Sequence, residues 1–171
     1  VKGRTDPVHC WREWGHGSQT LAEAVQNSCN MAFVQIGLKI GADTFWEYIE
    51  AFGFFEPTGV DLTGESDSIW WAKSVFADPD NSSSLAVTSF GQTFNITPIQ
   101  LITAVSAVAN GGYLMKPYVV SQVTDSAGNV VMSNEPTVVR QVISEETSQR
   151  VCQILESVVS VGTRHGAQGH G

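Results

Sequence analysis

Ser28 and Asn30, two positions apart, are the side chains in this sequence whose types and spacing best suit proton transfer at a bound substrate. A hydroxyl both donates and accepts hydrogen bonds, so Ser28 can relay a proton towards a leaving group. The carboxamide of Asn30 has two donors and one acceptor, so it can hold a substrate carbonyl and a neighbouring amine. Acyl transfer needs these functions beside a nucleophile and a base. A Ser-x-Asn triplet alone is a weak signal, because it also occurs by chance.

The pair is expected to be positioned by a helix that begins after Thr20. Thr20 and Glu23 have the spacing of a capping box, in which each side chain accepts a hydrogen bond from the other residue's backbone N–H. One helix face then repeats at i, i+3, i+4 and i+7, at Leu21, Ala24, Val25 and Ser28. This periodicity predicts a helix over residues 21–27 with the Ser28 hydroxyl on its buried stripe. Ser28 is then either a hydrogen-bonded core serine or part of a cleft. Asn30 can face that cleft, cap the next helix, or do both.

Composition and charge restrict the class of protein. The chain has 171 residues, 42% hydrophobic and 15% charged, which is typical of one folded domain with a core. Its formal net charge of −8 argues against a nucleic-acid partner, because phosphate binding requires clustered lysine and arginine. No apolar run reaches the roughly 20 residues that span a bilayer, and no signal peptide is visible. We therefore expect any anchor or export signal to lie outside this chain. We also expect no cofactor, because the sequence motifs of nucleotide-binding enzymes and of common hydrolases are absent.

The cysteines do not have the number or spacing of a disulfide framework. Cys10, Cys29 and Cys152 are odd in number and far apart in sequence. His9, Cys10, His16 and Cys29 lie close enough to suggest zinc, but their spacing matches neither C-x-x-C nor H-x3-H. The sequence therefore favours small buried thiols and no metal site. For His16 it favours a packing role, with an approach to the cleft as the alternative.

Further elements follow from apolar periodicity, caps and breakers. The predicted helices run from near Asn30 to Gly41, from the cap Asp43 to Gly53, over Leu85–Phe90, over Pro98–Ala109, and from the cap Ser144 to Gly162. The predicted strands are Tyr118–Thr124, Val130–Met132 and Pro136–Val142, with a turn over Asp125–Asn129. The helix over Pro98–Ala109 is apolar nearly all round, which predicts that it is fully buried. The fold class is thus mainly α (α+β) with one small antiparallel hairpin.

Four ordered segments resemble class B penicillin-binding proteins of the sporulation or elongation type found in Gram-positive bacteria. They are Gly15-His16-Gly17 with Thr20-Leu21-Ala22-Glu23-Ala24 and Asn27-Ser28-Cys29-Asn30; Ser89-Phe90-Gly91-Gln92 with Thr97-Pro98-x-Gln100-Leu101; Ala109-Asn110-Gly111-Gly112 with Lys116-Pro117; and Gly162-Thr163. The resemblance extends from about His9 to Thr163. It implies that residues 1–171 are part of a single transpeptidase domain, namely its helical subdomain in a fold similar to that of β-lactamases.

The resemblance also implies a function and a site. The family cross-links peptidoglycan by attacking the D-Ala-D-Ala end of a stem peptide, helps to maintain cell shape, and is acylated by β-lactams. It acts on the extracytoplasmic face of the cell membrane. By similarity, Ser28 and Asn30 are catalytic, while Cys29 occupies a variable position between them. Gln92 and Thr93 are expected to line the substrate cleft, with a role in stabilising their loop as the alternative.

Two of the family's three motifs are missing. The trio is S-x-x-K, S-D-N and K-T-G, and the lysines here, at positions 2, 39, 73 and 116, fit neither the first nor the third. We expect those motifs to lie outside this chain, which would then be inactive alone. Its helices would lack their sheet, and we expect self-association or domain exchange to cover them. The alternatives are a β-lactam-sensing receptor, a non-catalytic scaffold of the cell-wall machinery, or an unrelated helical interaction module.

Overall fold

A computed structural model describes residues 1–161 of the protein. Its helices are α1 Leu21–Gln26, α2 Asn30–Ile40, α3 Ala42–Ala51, α4 Lys73–Phe76, α5 Ser83–Thr88, α6 Pro98–Ala109 and α7 Glu145–Ser160. Its strands are β1 Tyr113–Met115, β2 Gln122–Thr124, β3 Val130–Ser133 and β4 Val138–Gln141. The predicted α+β class, mainly helical with a small antiparallel hairpin, is confirmed. The predicted helix end at Gly162, the Gly162-Thr163 motif and the tail lie outside the described residues.

The described chain forms two compact units. Among the described residues, the first contains Val1–Glu47, Trp70–Phe94 and residues 149–161; the second contains Tyr48–Ile69 and Asn95–Ser148. No helix within residues 1–161 combines the length and the apolar character needed to cross a membrane.

The core of the first unit is built around α5, whose residues 84–88 are all buried. Helix α2 packs directly against α5, and a Cβ at Gly37 would collide with the Ser89 hydroxyl, so glycine is required at this crossing. Phe76 on α4 is 1% exposed and packs against the rings of Phe45 and Trp46. Sequence periodicity missed α4, because a single turn of helix is too short to show a repeat, and it placed α5 two residues too late.

The second unit contains two separate two-stranded antiparallel sheets, β1–β4 and β2–β3. The β2–β3 hairpin and its turn were predicted, and the Asp125 carboxylate accepts the backbone N–H groups of Ala127 and Asn129. Strand β1 was not predicted, and the predicted strand over Tyr118–Thr124 is wrong except for its last three residues. Only Gln122–Thr124 pairs, because the preceding backbone donors are used elsewhere.

Those donors are held by the Asp61 carboxylate. Oδ1 accepts the backbone N–H of Val119 at 2.7 Å and Oδ2 accepts that of Val120 at 2.9 Å. The Asn134 amide also donates to Oδ2, at 3.3 Å. These backbone hydrogen bonds hold the pKa of Asp61 below its usual range.

The lowered pKa of Asp61 gives a pH-dependent contribution to stability. A depressed carboxyl pKa stabilises the fold above its unfolded value of about 3.9, and the contribution is lost as the pH falls through the folded pKa. We expect Asp61→Ala to lower the urea midpoint at neutral pH and to differ less and less from the wild type below about pH 4. Asp67→Ala, in the same exposed loop, is the control. A difference for Asp61→Ala that persists undiminished at pH 2 would contradict this account.

Helix α6 begins as predicted. The Thr97 hydroxyl accepts the Gln100 N–H at 3.2 Å and the Gln100 side chain accepts the Thr97 N–H at 2.9 Å, with Pro98 at the first helical position. The prediction that the whole helix is buried is wrong for this chain. One flank is covered through Gln100, Ala104 and Ala107, but the other is exposed, with fractions of 50% for Leu101, 56% for Ile102 and 49% for Val105.

Candidate functional site

Helix α1, which precedes the candidate pair, starts at the predicted capping box. The Glu23 carboxylate accepts the Thr20 backbone N–H at 2.7 Å, and the Glu23 N–H donates to the Thr20 hydroxyl at 3.3 Å. The hydrogen bonds from Thr20 lower the pKa of Glu23, which keeps the cap in its charged form. At the other end, Gln26 donates to the Ser157 hydroxyl at 2.8 Å, which fixes α1 against α7.

Ser28 lies just beyond the end of α1, in a left-handed turn. Its φ is +46°, its backbone N–H donates to the Val25 carbonyl, and the next N–H, of Cys29, donates to the Ala24 carbonyl, each at 3.0 Å. This pair of bonds defines the left-handed helix cap that glycine usually supplies. Because the helix ends at Gln26, Ser28 leaves the apolar stripe and is exposed. The alternative of a hydrogen-bonded core serine is therefore wrong, because the helix ends before Ser28, and the alternative that Ser28 lines a cleft stays a prediction.

Asn30 follows as the first residue of α2 and is half-buried. Its side-chain amide donates to the His9 carbonyl at 3.4 Å. The N-cap of α2 is Cys29, which makes no side-chain capping bond, so the alternative of Asn30 as N-cap is wrong. The junction between α1 and α2 therefore positions Asn30 two residues after Ser28.

Gln92 and Thr93 lie in the loop after α5, within the same unit as Ser28 and Asn30. Both are exposed, the Gln92 N–H donates to the Val87 carbonyl at 3.1 Å, and the Thr93 hydroxyl donates to the Gln92 carbonyl at 2.6 Å. Within residues 1–161 no hydrogen bond joins this pair to the first pair. Their predicted role in substrate binding stays a prediction.

Backbone strain marks two of these four residues. Among the described residues, Ser28 and Thr93, at φ +69°, are the non-glycine residues with positive φ. A β-branched residue in this region is a genuine outlier, and such strain of roughly 1–3 kcal/mol persists where the surroundings impose it, often at functional sites. Both residues are among the predicted site residues, and their functional role stays a prediction.

The strain at Ser28 can be measured by replacing it with glycine. Ser28→Gly should raise the free energy of unfolding by about 0.5 kcal/mol, because relief of the left-handed conformation outweighs the greater freedom of glycine in the unfolded chain. Ser66→Gly, at an exposed loop position without positive φ, should instead lower it. Equal losses of stability in the two variants, measured by urea unfolding, would show that Ser28 is not strained.

The structure brings together beside the pair three of the four residues whose spacing had argued against a metal site: Cys10, His16 and Cys29. The Cys10 sulfur lies 3.2 Å from Nδ1 of His16 and 4.0 Å from the sulfur of Cys29. Burial by itself raises the pKa of the Cys29 thiol, but hydrogen bonds from the Ala32 backbone and the Gln19 side chain outweigh it, so the pKa is lowered. Only the glycines on either side of His16 hinted at the turn that brings these groups together.

Comparison with known proteins decides the family. The protein-family model of the penicillin binding protein transpeptidase domain matches residues 1–171. The chain belongs to this family. The resemblance to class B penicillin-binding proteins that the four motif segments indicated is confirmed.

One curated protein and two solved structures are similar to this chain over nearly its whole length. Stage V sporulation protein D of Bacillus subtilis is 42% identical over 161 residues, which are 94% of this chain and 24% of that protein. The crystal structure of the D,D-transpeptidase domain of a peptidoglycan glycosyltransferase from Eggerthella lenta has a TM-score of 0.82 at 28% identity, covering 96% of this chain and 42% of that one. Penicillin-binding protein A of Mycobacterium tuberculosis, as an imipenem acyl-enzyme complex, also has a TM-score of 0.82, at 25% identity over 98% of this chain and 38% of that one. The chain thus spans about a quarter of the length of its curated relative.

Proposed function

We propose that this chain is the part of a peptidoglycan D,D-transpeptidase that contributes the serine and the asparagine of the second active-site motif. The observation that carries the proposal is the strained turn between α1 and α2, which exposes the Ser28 hydroxyl two residues from the Asn30 carboxamide. Similarity to a solved D,D-transpeptidase domain supports the reaction.

Each residue of the motif has a definite task in this reaction. The nucleophilic serine of S-x-x-K attacks the penultimate D-Ala carbonyl of a stem peptide, and the terminal D-Ala leaves as its amine takes up a proton. Ser28 relays that proton between the lysine of S-x-x-K and the leaving amine. Asn30 holds the substrate amide and the lysine through its donors and its acceptor. Gln92 and Thr93 line the acyl-donor cleft.

β-Lactams would acylate the same nucleophile. The Mycobacterium tuberculosis relative has been solved as an acyl-enzyme complex with the β-lactam imipenem. The enzyme would work on the extracytoplasmic face of the membrane, where peptidoglycan is cross-linked. Since the chain holds no S-x-x-K, it is inactive without the rest of the domain.

A chimera tests the proposal. In stage V sporulation protein D, the matched segment is replaced by the corresponding 161 residues of this chain, and the purified protein is incubated with a fluorescent penicillin. We expect covalent labelling of the chimera and none of the isolated chain. An unlabelled but folded chimera, or a labelled isolated chain, would refute the proposed role.

The exposed flank of α6 gives an expected consequence for the isolated chain. Three neighbouring apolar side chains on one helix face, each about half exposed, form a surface that association would cover: Leu101, Ile102 and Val105. We expect concentration-dependent self-association in sedimentation velocity, weakened by Ile102→Glu. Val119→Glu, at a residue that is 65% exposed and lies outside α6, is the control. A monomer at all concentrations would contradict this expectation.

A further inference from the structure

The loop before α1 and the junction after α1 bring three metal-binding side chains together next to the candidate catalytic pair. Cys10 and His16 belong to the loop before α1, and Cys29 is the residue between Ser28 and Asn30. One ligand atom from each of the three lies within 4.8 Å of the others. The spacing of these residues matches no zinc motif, because they meet only when the loop folds back over a turn at Gly15, which has φ +69°.

The distances suit a tetrahedral metal ion bound by sulfur and nitrogen. In a tetrahedral zinc site, Zn–S bonds of about 2.3 Å and Zn–N bonds of about 2.0 Å place neighbouring ligand atoms about 3.5–3.8 Å apart. The observed separations are 4.0 Å between the two sulfurs and 3.2 Å between the Cys10 sulfur and Nδ1 of His16. These two separations differ from the tetrahedral values by only a few tenths of an ångström, and the Cys29 sulfur and the His16 ligand nitrogen lie within 4.8 Å of each other.

Burial and openness are also those of a metal site. Cys29 is 4% exposed, and Cys10 and His16 are half-buried, so the ligands are shielded but accessible. The three residues line one pocket of about 380 Å³, together with Gln19 and Gln35. Two thiolates and one imidazole with an open fourth position are a ligand set known from zinc enzymes, in which water occupies that position.

We propose that Cys10, His16 and Cys29 bind one zinc ion, with water from the pocket as the fourth ligand. Binding releases one proton from each of the two thiols, and His16 coordinates through Nδ1 as the neutral imidazole that carries its proton on Nε2. The ion ties the loop before α1 to the N-cap residue of α2. Because Cys29 lies between Ser28 and Asn30, zinc stabilises the junction that presents this pair.

Cobalt titration tests the site, because Co²⁺ replaces zinc and reports thiolate ligation through charge-transfer absorption. With the reduced full chain, we expect one equivalent of Co²⁺ to give this absorption together with the visible bands of tetrahedral cobalt, and zinc to displace it. Cys10→Ser, His16→Gln and Cys29→Ser should each lose the tetrahedral spectrum. Cys152→Ser, which alters the cysteine on α7, should retain it.

Two further measurements keep the result independent of how the variants fold. Zinc should raise the melting temperature of the wild type in a concentration-dependent way and leave that of His16→Gln unchanged. Zinc should also protect Cys10 and Cys29 from air oxidation. Absence of the cobalt spectrum in the reduced wild type, its loss in Cys152→Ser alone, or formation of a Cys10–Cys29 disulfide at an unchanged rate with zinc present would overturn the proposal.

Discussion

Replacing Gln100 with alanine is expected to lower the free energy of unfolding by about 3 kcal/mol. Gln100 is 1% exposed, and its amide donates to the Glu56 carbonyl at 2.8 Å and to the Phe54 carbonyl at 3.5 Å. Its carbonyl oxygen accepts the backbone N–H of Thr97, so this one side chain links the start of α6 to the loop after α3. The alanine variant leaves buried backbone groups unpaired and creates a cavity, and urea unfolding measures both losses.

Two comparisons identify the cause of that loss. Gln122→Ala, at an exposed position on β2, should change the stability by no more than about 0.5 kcal/mol. Gln100→Glu keeps the volume but aims a carboxylate at the carbonyls of Phe54 and Glu56, so it should destabilise at neutral pH and recover in acid. If Gln100→Glu were as stable as the wild type at pH 7, the hydrogen bonds to those carbonyls would not be the source of the stability.

The second large effect is expected on acylation. In the chimera with stage V sporulation protein D, Ser28→Ala should slow acylation by a fluorescent penicillin about 100-fold or more, because it removes a general acid–base group. The fold should not suffer, because Ser28 is exposed and alanine meets the same backbone strain. Ser66→Ala, in an exposed loop of the other unit, is the matched control and should acylate at the wild-type rate.

The sequence predicted best what depends on neighbouring residues. Both capping boxes, at Thr20 and at Thr97, follow from local hydrogen bonds between residues three apart, and both helices begin where those residues indicated. The hairpin of β2 and β3 follows equally from its Asp125 turn. In each case the signal and the structure lie within about ten residues of each other, so tertiary packing had little opportunity to override them.

Features that depend on contacts between residues far apart in the chain were not predicted. Strand β1 has three residues, too few to show alternation, and its partner β4 lies more than twenty positions further along the chain. The Cys10, His16 and Cys29 cluster depends on a loop closure that no spacing rule describes.

Two errors at predicted positions have local physical causes. Periodicity placed Ser28 on a buried stripe because serine lacks the signal that glycine gives at a left-handed cap. The apolar pattern of α6 shows which surface the helix can bury, and one flank of it remains exposed in this chain. An apolar pattern therefore shows which surface of a helix can be buried. Burial itself requires a second surface that packs against it.

Acylation kinetics of the chimera show whether Ser28 and Asn30 act together in acyl transfer. The rate constant for labelling by a fluorescent penicillin is measured for the unmodified chimera, for Ser28→Ala and for Asn30→Ala, with circular dichroism to verify folding. If they do, each single variant loses roughly 100-fold or more of the labelling rate, and the loss in the double variant is smaller than the product of the two single losses. Folded Ser28→Ala and Asn30→Ala variants that are labelled as fast as the unmodified chimera would contradict this joint role.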